Sequence, residues 1–187
     1  MVYYIVNNYV LLSVDQGEVW DLRILGIDPG LAIVGWGVIE AQNPRFFPVA
    51  CGDIQTPAHT PIEDRLLQIY EEMNRLLDKY KPEAMAIEEL FFTKNITTGI
   101  PVAQARGVIL LTARQHGIPI YEYTPMQVKQ AVVGYGLAEK KQVIAMVTSL
   151  LSLPHPPKPD DTADALAIAL CHGQNASSAL AKFFNQR

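Results

Sequence analysis

Four acidic residues in this chain stand where acids are expensive to place, and together they have the makings of a metal site. Asp28 closes an apolar run and is followed by Pro29 and Gly30. Glu88 closes a second apolar run, Ala84-Met85-Ala86-Ile87, with Glu89 beside it. Asp161 and Asp164 lie three apart in DDTADALAIA, so a helix would show both on one face. Taken singly, each has a structural explanation. Asp-Pro-Gly is good turn chemistry. A glutamate pair can be a solvated strand end, although alternation lets only one of Glu88 and Glu89 face Asp28. Acids favour a helix N-terminus through the dipole, and Asp160 competes with Asp161 for that reading. Taken together, two strand-end acids and two helix acids can converge. Bare carboxylates repel one another, and hard cations that prefer oxygen ligands, Mg²⁺ or Mn²⁺, resolve the conflict. Two such ions about 3.5–4 Å apart can activate water and stabilise the leaving oxygen of a phosphodiester. Competing arrangements are weak. His59, His116, His155 and His172 are scattered and read as surface or loop residues, and Cys51 and Cys171 form no CxxC pair.

The elements that must carry these acids follow from periodicity. Residues 23–27, 33–39 and 45–56 read as three strands with short connections, an antiparallel meander. Thr60-Pro61-Ile62-Glu63 has the form of a capping box, and Ile62, Leu66, Ile69, Met73, Leu76, Leu77 and Tyr80 recur at helical spacing. Lys81-Pro82 stops that helix, and residues 83–89 fit a buried strand. A second helix ends near His116 with Gly117 as its cap. Residues 118–123 form a fifth strand. Thr124-Pro125 opens a short helix to about Val132, and Gly134-Tyr135-Gly136 is a loop. Residues 139–151 form another helix, PHPPKP at 154–159 is a stiff linker, and the last helix covers 160–171. The order βββ-α-β-α-β-α-α-α describes an α/β domain, one five-stranded mixed sheet (three antiparallel strands, then two parallel) flanked by helices. That order matches the ribonuclease-H-like fold.

With 187 residues and 49% hydrophobic content, the chain suits one core-forming domain. Residues 21–173 are expected to form it. Residues 1–20 read as an extension, either an extra strand or a floppy segment, and 174–187 as a flexible polar tail. The apolar stretch at 2–14 is broken by Asn7 and Asn8 and is far short of the roughly 20 residues of a membrane span. It also lacks the basic flank and cleavage site of a signal peptide, so no membrane association and a cytoplasmic location are expected. The net charge of −4 argues weakly against nucleic acid as a partner. Charge distribution matters more than its sum, and two divalent cations at the acid cluster would offset it.

Five segments together resemble one family. They are ILGIDPGLAIVGWGVI (24–39), AIEELFFTKN (86–95), AQARGVIL (103–110), EYTPMQVKQAVVGYGLAEKKQV (122–143) and DDTADALAIA (160–169). In order and spacing they look like the RuvC family of Holliday-junction resolvases. The resemblance implies a homodimeric endonuclease that nicks two opposed strands of four-way junction DNA, with two Mg²⁺ per subunit and Mn²⁺ as a substitute. It implies Asp28, Glu88, Asp161 and Asp164 as catalytic metal ligands. It thereby selects Glu88 over Glu89, and Asp161 over Asp160, which is left as a helix cap. In the family the third ligand varies between Asp and His. Phe91 matches an aromatic that stacks on junction bases, and Lys129 and Lys140 match basic residues that handle DNA. Lys94, Asn95 and Arg106 are weaker phosphate-contact candidates. A branch-migration complex of the RuvA-RuvB kind is an implied partner. The extension before about Asp21 has no counterpart in the family.

Overall fold

In the computed structural model the described residues are 4–6, 9–11, 21–42, 45–90 and 96–185. Strands β1 (Tyr4–Val6) and β2 (Tyr9–Leu11) pair antiparallel in a sheet of their own. The expected extra strand is therefore a two-stranded ribbon that adds nothing to the main sheet.

The main sheet has the order β5-β4-β3-β6-β7. Strands β3 (Asp21–Asp28), β4 (Ile33–Gln42) and β5 (Arg45–Gln55) form the antiparallel meander, while β6 (Ala84–Glu88) and β7 (Ile120–Tyr123) run parallel to β3. Pro48 lies in β5, an edge strand, where a missing N–H does the least harm. Alternation divides β3 and β6 between two cores. Leu25, Ile27, Met85 and Ile87 pack under α1 (Ile62–Tyr80) and α2 (Ile96–Gln115). Ile24 and Ala86 face α3 (Pro125–Val133), α4 (Lys140–Leu150) and α5 (Asp160–Asn185). Of these, Ile24, Leu25, Ile27, Met85 and Ile87 are fully buried, each contributing about 1.5–3 kcal/mol on removal from water. This is the sheet and helix order expected from the sequence.

Local differences have local causes. The capping box at the start of α1 does not form. Pro61 itself holds the cap position and has no side-chain acceptor, which leaves Thr60 one residue too early. A real capping box opens α3, between Thr124 and Gln127, and at α4 the Gln142 side chain accepts from the Glu139 N–H at 2.8 Å. Helix α5 does not stop at Cys171. It runs through Gly173 to Asn185, into the stretch expected to be a polar tail. Gly173 serves packing rather than termination, since a Cβ there would lie 2.6 Å from Phe46 Cε1.

Candidate active site

Strand register brings the first two acids together. The parallel pairing of β3 with β6 ends at Ile27 and Ile87, so Asp28 and Glu88 finish adjacent strands at the same edge. Both follow the alternation of Gly26 and Ala86, onto the face that carries α5. Glu89, one residue on, is exposed, and its N–H donates to the Tyr123 carbonyl at 2.9 Å. The pleat thus turns Glu88, and not Glu89, toward the face on which Asp28 lies.

Helix α5 brings the other two, and glycines let it come close. Gly35 is the register partner of Asp28, and Gly37 that of Gly26. A Cβ on Gly35 would sit 2.0 Å from the Asp161 carbonyl oxygen. One on Gly26 would sit 2.0 Å from the Ala165 oxygen and 2.8 Å from the Ala169 nitrogen. A Cβ on Gly37 would meet Leu166. Three bare positions on β3 and β4 therefore make a groove in which the helix backbone lies directly on the sheet backbone. Ala163, Ala165, Ala167 and Ala169, all buried, keep the helix surface equally smooth. Asp161 and Asp164 are thereby set, half-buried, beside Asp28, while Asp160 is exposed. Asp160 is the first residue of the helix, not its cap.

The resulting electrostatics are those of acids forced together. Burial pushes the Asp28 carboxyl up to about 7, and Glu88, Asp164 and Asp161 push the same way while Lys140 opposes them. Glu88 is also raised, first by burial and then by Asp164, against the pull of Lys129 and Lys140. Lys140 Nζ lies 2.9 Å from Asp164 Oδ2 and 3.6 Å from Asp160 Oδ2. Burial works against the Lys140 charge, but its hydrogen bond to Asp164 and the charges of Asp164, Asp160 and Asp161 outweigh that and raise it. Glu88, Asp164, Lys129 and Lys140 line one cleft of about 270 Å³. Among the described residues, no group of three or more His, Cys, Asp or Glu side chains forms a ready-made cage for a metal ion. The donor set is nonetheless all oxygen, and the mutual repulsion at Asp28 is what a hard cation relieves, so these residues fit Mg²⁺ or Mn²⁺ chemistry.

The remaining residues of interest separate cleanly. Phe91, Lys94 and Asn95 lie outside the described residues. The Arg106 guanidinium is engaged within the protein: Nε donates to the Glu88 carbonyl at 3.3 Å, and Nη2 pairs with Glu122. His172, expected at the surface, is buried on α5, stacked on Tyr121 with ring centroids 4.2 Å apart and hydrogen-bonded to Tyr123 at 2.7 Å. Two contributors escaped sequence reasoning. The glycine stripe was written in Gly26, Gly35 and Gly37, whose period of two was visible while its partner helix was not. Glu122 carried no signal apart from its place in an alternating strand.

A sheet ordered 3-antiparallel-plus-2-parallel with acids at two strand ends and on a crossing helix defines a ribonuclease-H-like fold bearing an acid site. Comparison with known proteins narrows the class. Residues 24–172 match the family described as Crossover junction endodeoxyribonuclease RuvC, and the chain belongs to that family. A relative of that name from Desulfitobacterium hafniense (strain DSM 10664 / DCB-2) is 57% identical over 156 residues, 83% of this chain and 94% of the relative. One from Brevibacillus brevis is 58% identical over 153 residues, 82% and 92% respectively. Among solved structures, Thermus thermophilus RuvC superimposes with a TM-score of 0.78 at 36% identity, covering 84% of this chain and 96% of that one. The same protein in complex with a Holliday junction substrate gives 0.78 at 34% identity, with the same coverage. Nucleases of this family are metal-dependent. No described helix is long and apolar enough to cross a membrane.

Proposed function

We propose that the chain is a structure-selective DNA endonuclease that resolves four-way junctions by paired nicks in opposed strands, in recombination and DNA repair. The observation that carries this reading is the set of four acids, Asp28, Glu88, Asp161 and Asp164, coupled at one end of the sheet in a chain of this family. The Thermus thermophilus relative, solved on a Holliday junction, supports junction DNA as the substrate.

The four acids are assigned as ligands for two Mg²⁺ ions per subunit, with Mn²⁺ as a substitute. When bound, divalent cations supply water activation and charge stabilisation at the scissile phosphate. The chain's own residues do the rest. Asp28 and Glu88 are held by paired backbone on adjacent strands, so their spacing is fixed by the sheet. Asp161 and Asp164 are fixed by the seat of α5. Lys129 and Lys140 bring positive charge to the same cleft and are assigned to the DNA backbone at the reacting phosphate. Phe91, Lys94 and Asn95, next along the chain after β6, are assigned to junction bases and phosphates.

A homodimer is the assembly that matches a two-fold junction, because symmetric subunits make symmetric nicks. Ile100, Gln104, Gly107 and Leu111 lie three or four apart along α2 and are all exposed, a partly apolar stripe suited to a second copy. Action in the cytoplasm, with a RuvA-RuvB branch-migration complex as partner, completes the reading. Cys51 and Cys171 are both free, as a reducing compartment leaves them.

The test is nicking of a synthetic four-way junction with Mg²⁺, beside linear duplex and an RNA–DNA hybrid, with and without chelator. Junction-selective, chelator-sensitive, paired nicking is expected. Asp28→Asn and Glu88→Gln should abolish cleavage and retain junction binding. Full cleavage by either variant refutes the assignment.

A further inference from the structure

We propose that Arg106 is a positioning residue, which locks the end of β6 where Glu88 leaves the sheet, and not a phosphate contact. The proposal rests on the reading of Glu88 as a cation-holding carboxylate. The Arg106 side chain is only 13% exposed, although it is an arginine on a helix whose neighbours at 100, 104, 107 and 111 face solvent. Its Nε donates to the Glu88 carbonyl at 3.3 Å and its Nη2 pairs with Glu122 on β7. It thus ties together one helix and the ends of two strands.

The Glu88 carbonyl needs such a partner. The β3–β6 ladder stops at Ile27 and Ile87, so Glu88 lies one residue beyond the last rung on that side. On the other side Glu88 is the register partner of Tyr123, and the Glu89 N–H bonds the Tyr123 carbonyl. The peptide linking Glu88 to Glu89 is therefore held by β7 through its N–H and by Arg106 through its carbonyl. Fixing both ends of one peptide plane fixes the direction in which the Glu88 side chain departs. Glu122 holds the guanidinium in place and neutralises it, so a phosphate would have to compete with a carboxylate already seated. The planar fork, which lysine lacks, serves both partners at once.

The two readings of Arg106 predict different results. Mn²⁺ affinity is measured by calorimetry on the protein alone. Junction affinity is measured in chelator across a salt series, and nicking in single turnover. If Arg106 positions Glu88, Arg106→Gln loses about 10-fold to 100-fold in Mn²⁺ affinity and in nicking rate, the range for partners that orient metal ligands. Its junction affinity and salt dependence stay those of the parent. Glu122→Gln moves in the same direction, the double variant is no worse than Arg106→Gln, and Arg106→Lys recovers only part of the loss. If Arg106→Gln melts too low to assay, Glu122→Gln and Arg106→Lys decide, since Glu122 is half-exposed and its replacement by an isosteric amide is expected to keep the fold. The proposal is overturned if Arg106→Gln keeps its Mn²⁺ affinity, or if it weakens junction binding and lowers the salt slope by about one, as loss of a phosphate contact does. Glu88→Gln serves as the control. If that variant cleaves, the proposed function fails. If it is inactive while Arg106→Gln equals the parent, only the positioning role fails.

Discussion

The closeness of α5 to the sheet makes Gly35→Ala the most informative single change. The added methyl group would lie 2.0 Å from the Asp161 carbonyl oxygen, 2.4 Å from its carbon and 3.0 Å from its Cβ. The two nearest are backbone atoms of a helix, and no rotamer relieves them. An ordinary contact needs at least 3.4 Å, so the first turn of α5 must lift by about 1.4 Å. Overpacking of this kind costs about 1–3 kcal/mol, which lowers the melting temperature of a domain this size by roughly 3–10 °C. The effect on chemistry should exceed the effect on stability. Asp161 and Asp164 ride on that turn, and a displacement of about 1 Å at a reacting centre costs on the order of 100-fold in rate. Gly37→Ala is the matched comparison. Its methyl group meets Leu166 Cδ2 at 2.6 Å and Cγ at 2.7 Å but the helix backbone only at 3.3 Å, so a side chain takes most of the clash and the loss of cleavage should be smaller than in Gly35→Ala. The assay is single-turnover nicking of a four-way junction with Mg²⁺, alongside thermal melts and junction affinity in chelator. Parental cleavage by a folded Gly35→Ala protein would refute the reasoning, as would a larger loss in Gly37→Ala.

Three further outcomes are expected. Asp28 has its carboxyl raised to about 7 by burial and by Glu88, Asp164 and Asp161, so the stabilisation from its retained proton is complete below pH 3.8 and lost as pH rises through 7. In chelator at pH 8, Asp28→Asn should therefore be more stable than the parent by at least about 1 kcal/mol, and Mg²⁺ should close the gap by stabilising the parent; a parent that melts higher in chelator contradicts this. His172 is pushed the other way, down to about 4 from 6.5 by burial. Its contribution is full above pH 6.5 and erodes as pH falls to 4, by about 3 kcal/mol in all, and urea titrations of His172→Gln should lack that slope. If the proposed homodimer is built on the exposed stripe of α2, Leu111→Arg should shift the sedimenting species from dimer to monomer and convert paired nicks into single ones; a monomeric parent, or a dimer unchanged by the substitution, would refute that placement.

Much of this could be read from the sequence because burial leaves a periodic trace. Apolar runs ending in Asp28 and Glu88 marked two strand ends, and the order of strands and helices allowed few sheets. What stayed hidden depends on contacts distant in sequence. Alternation says that Gly26, Gly35 and Gly37 share a face, but not that α5 will fill it. His172 looked like one more polar residue near a helix end, because its partners Tyr121 and Tyr123 sit on a strand about fifty residues earlier. The last helix was expected to end at Cys171, but it continues through Gly173, where the side chain of Phe46 occupies the space a Cβ would need. Arg106 read as a phosphate-contact candidate because nothing in the sequence marks its ion-pair partner, an ordinary glutamate on β7.

The same geometry that makes the site explains how the fold tolerates it. Four acids carried on paired strands and a seated helix stay in one neighbourhood, so much of their repulsion is offset in place. Part is absorbed at Asp28, whose carboxyl is pushed up to about 7 by burial and crowding and so keeps its proton well above the usual carboxylate range. Part is absorbed by Lys140, whose ammonium bridges Asp164 and Asp160 and is itself strengthened by them. The N-terminal end of α5 adds a partial positive charge next to Asp160 and Asp161. Two of these compensations can be withdrawn while the fold stays: a proton leaves Asp28 and the Lys140 ammonium swings away, whereas the helix dipole remains. A site built of strand ends and a glycine-seated helix is thus rigid in its carboxylates and labile in its counter-charges. That is the combination required where divalent cations and a polyanion must enter together, because the acids hold their places while proton and ammonium give way.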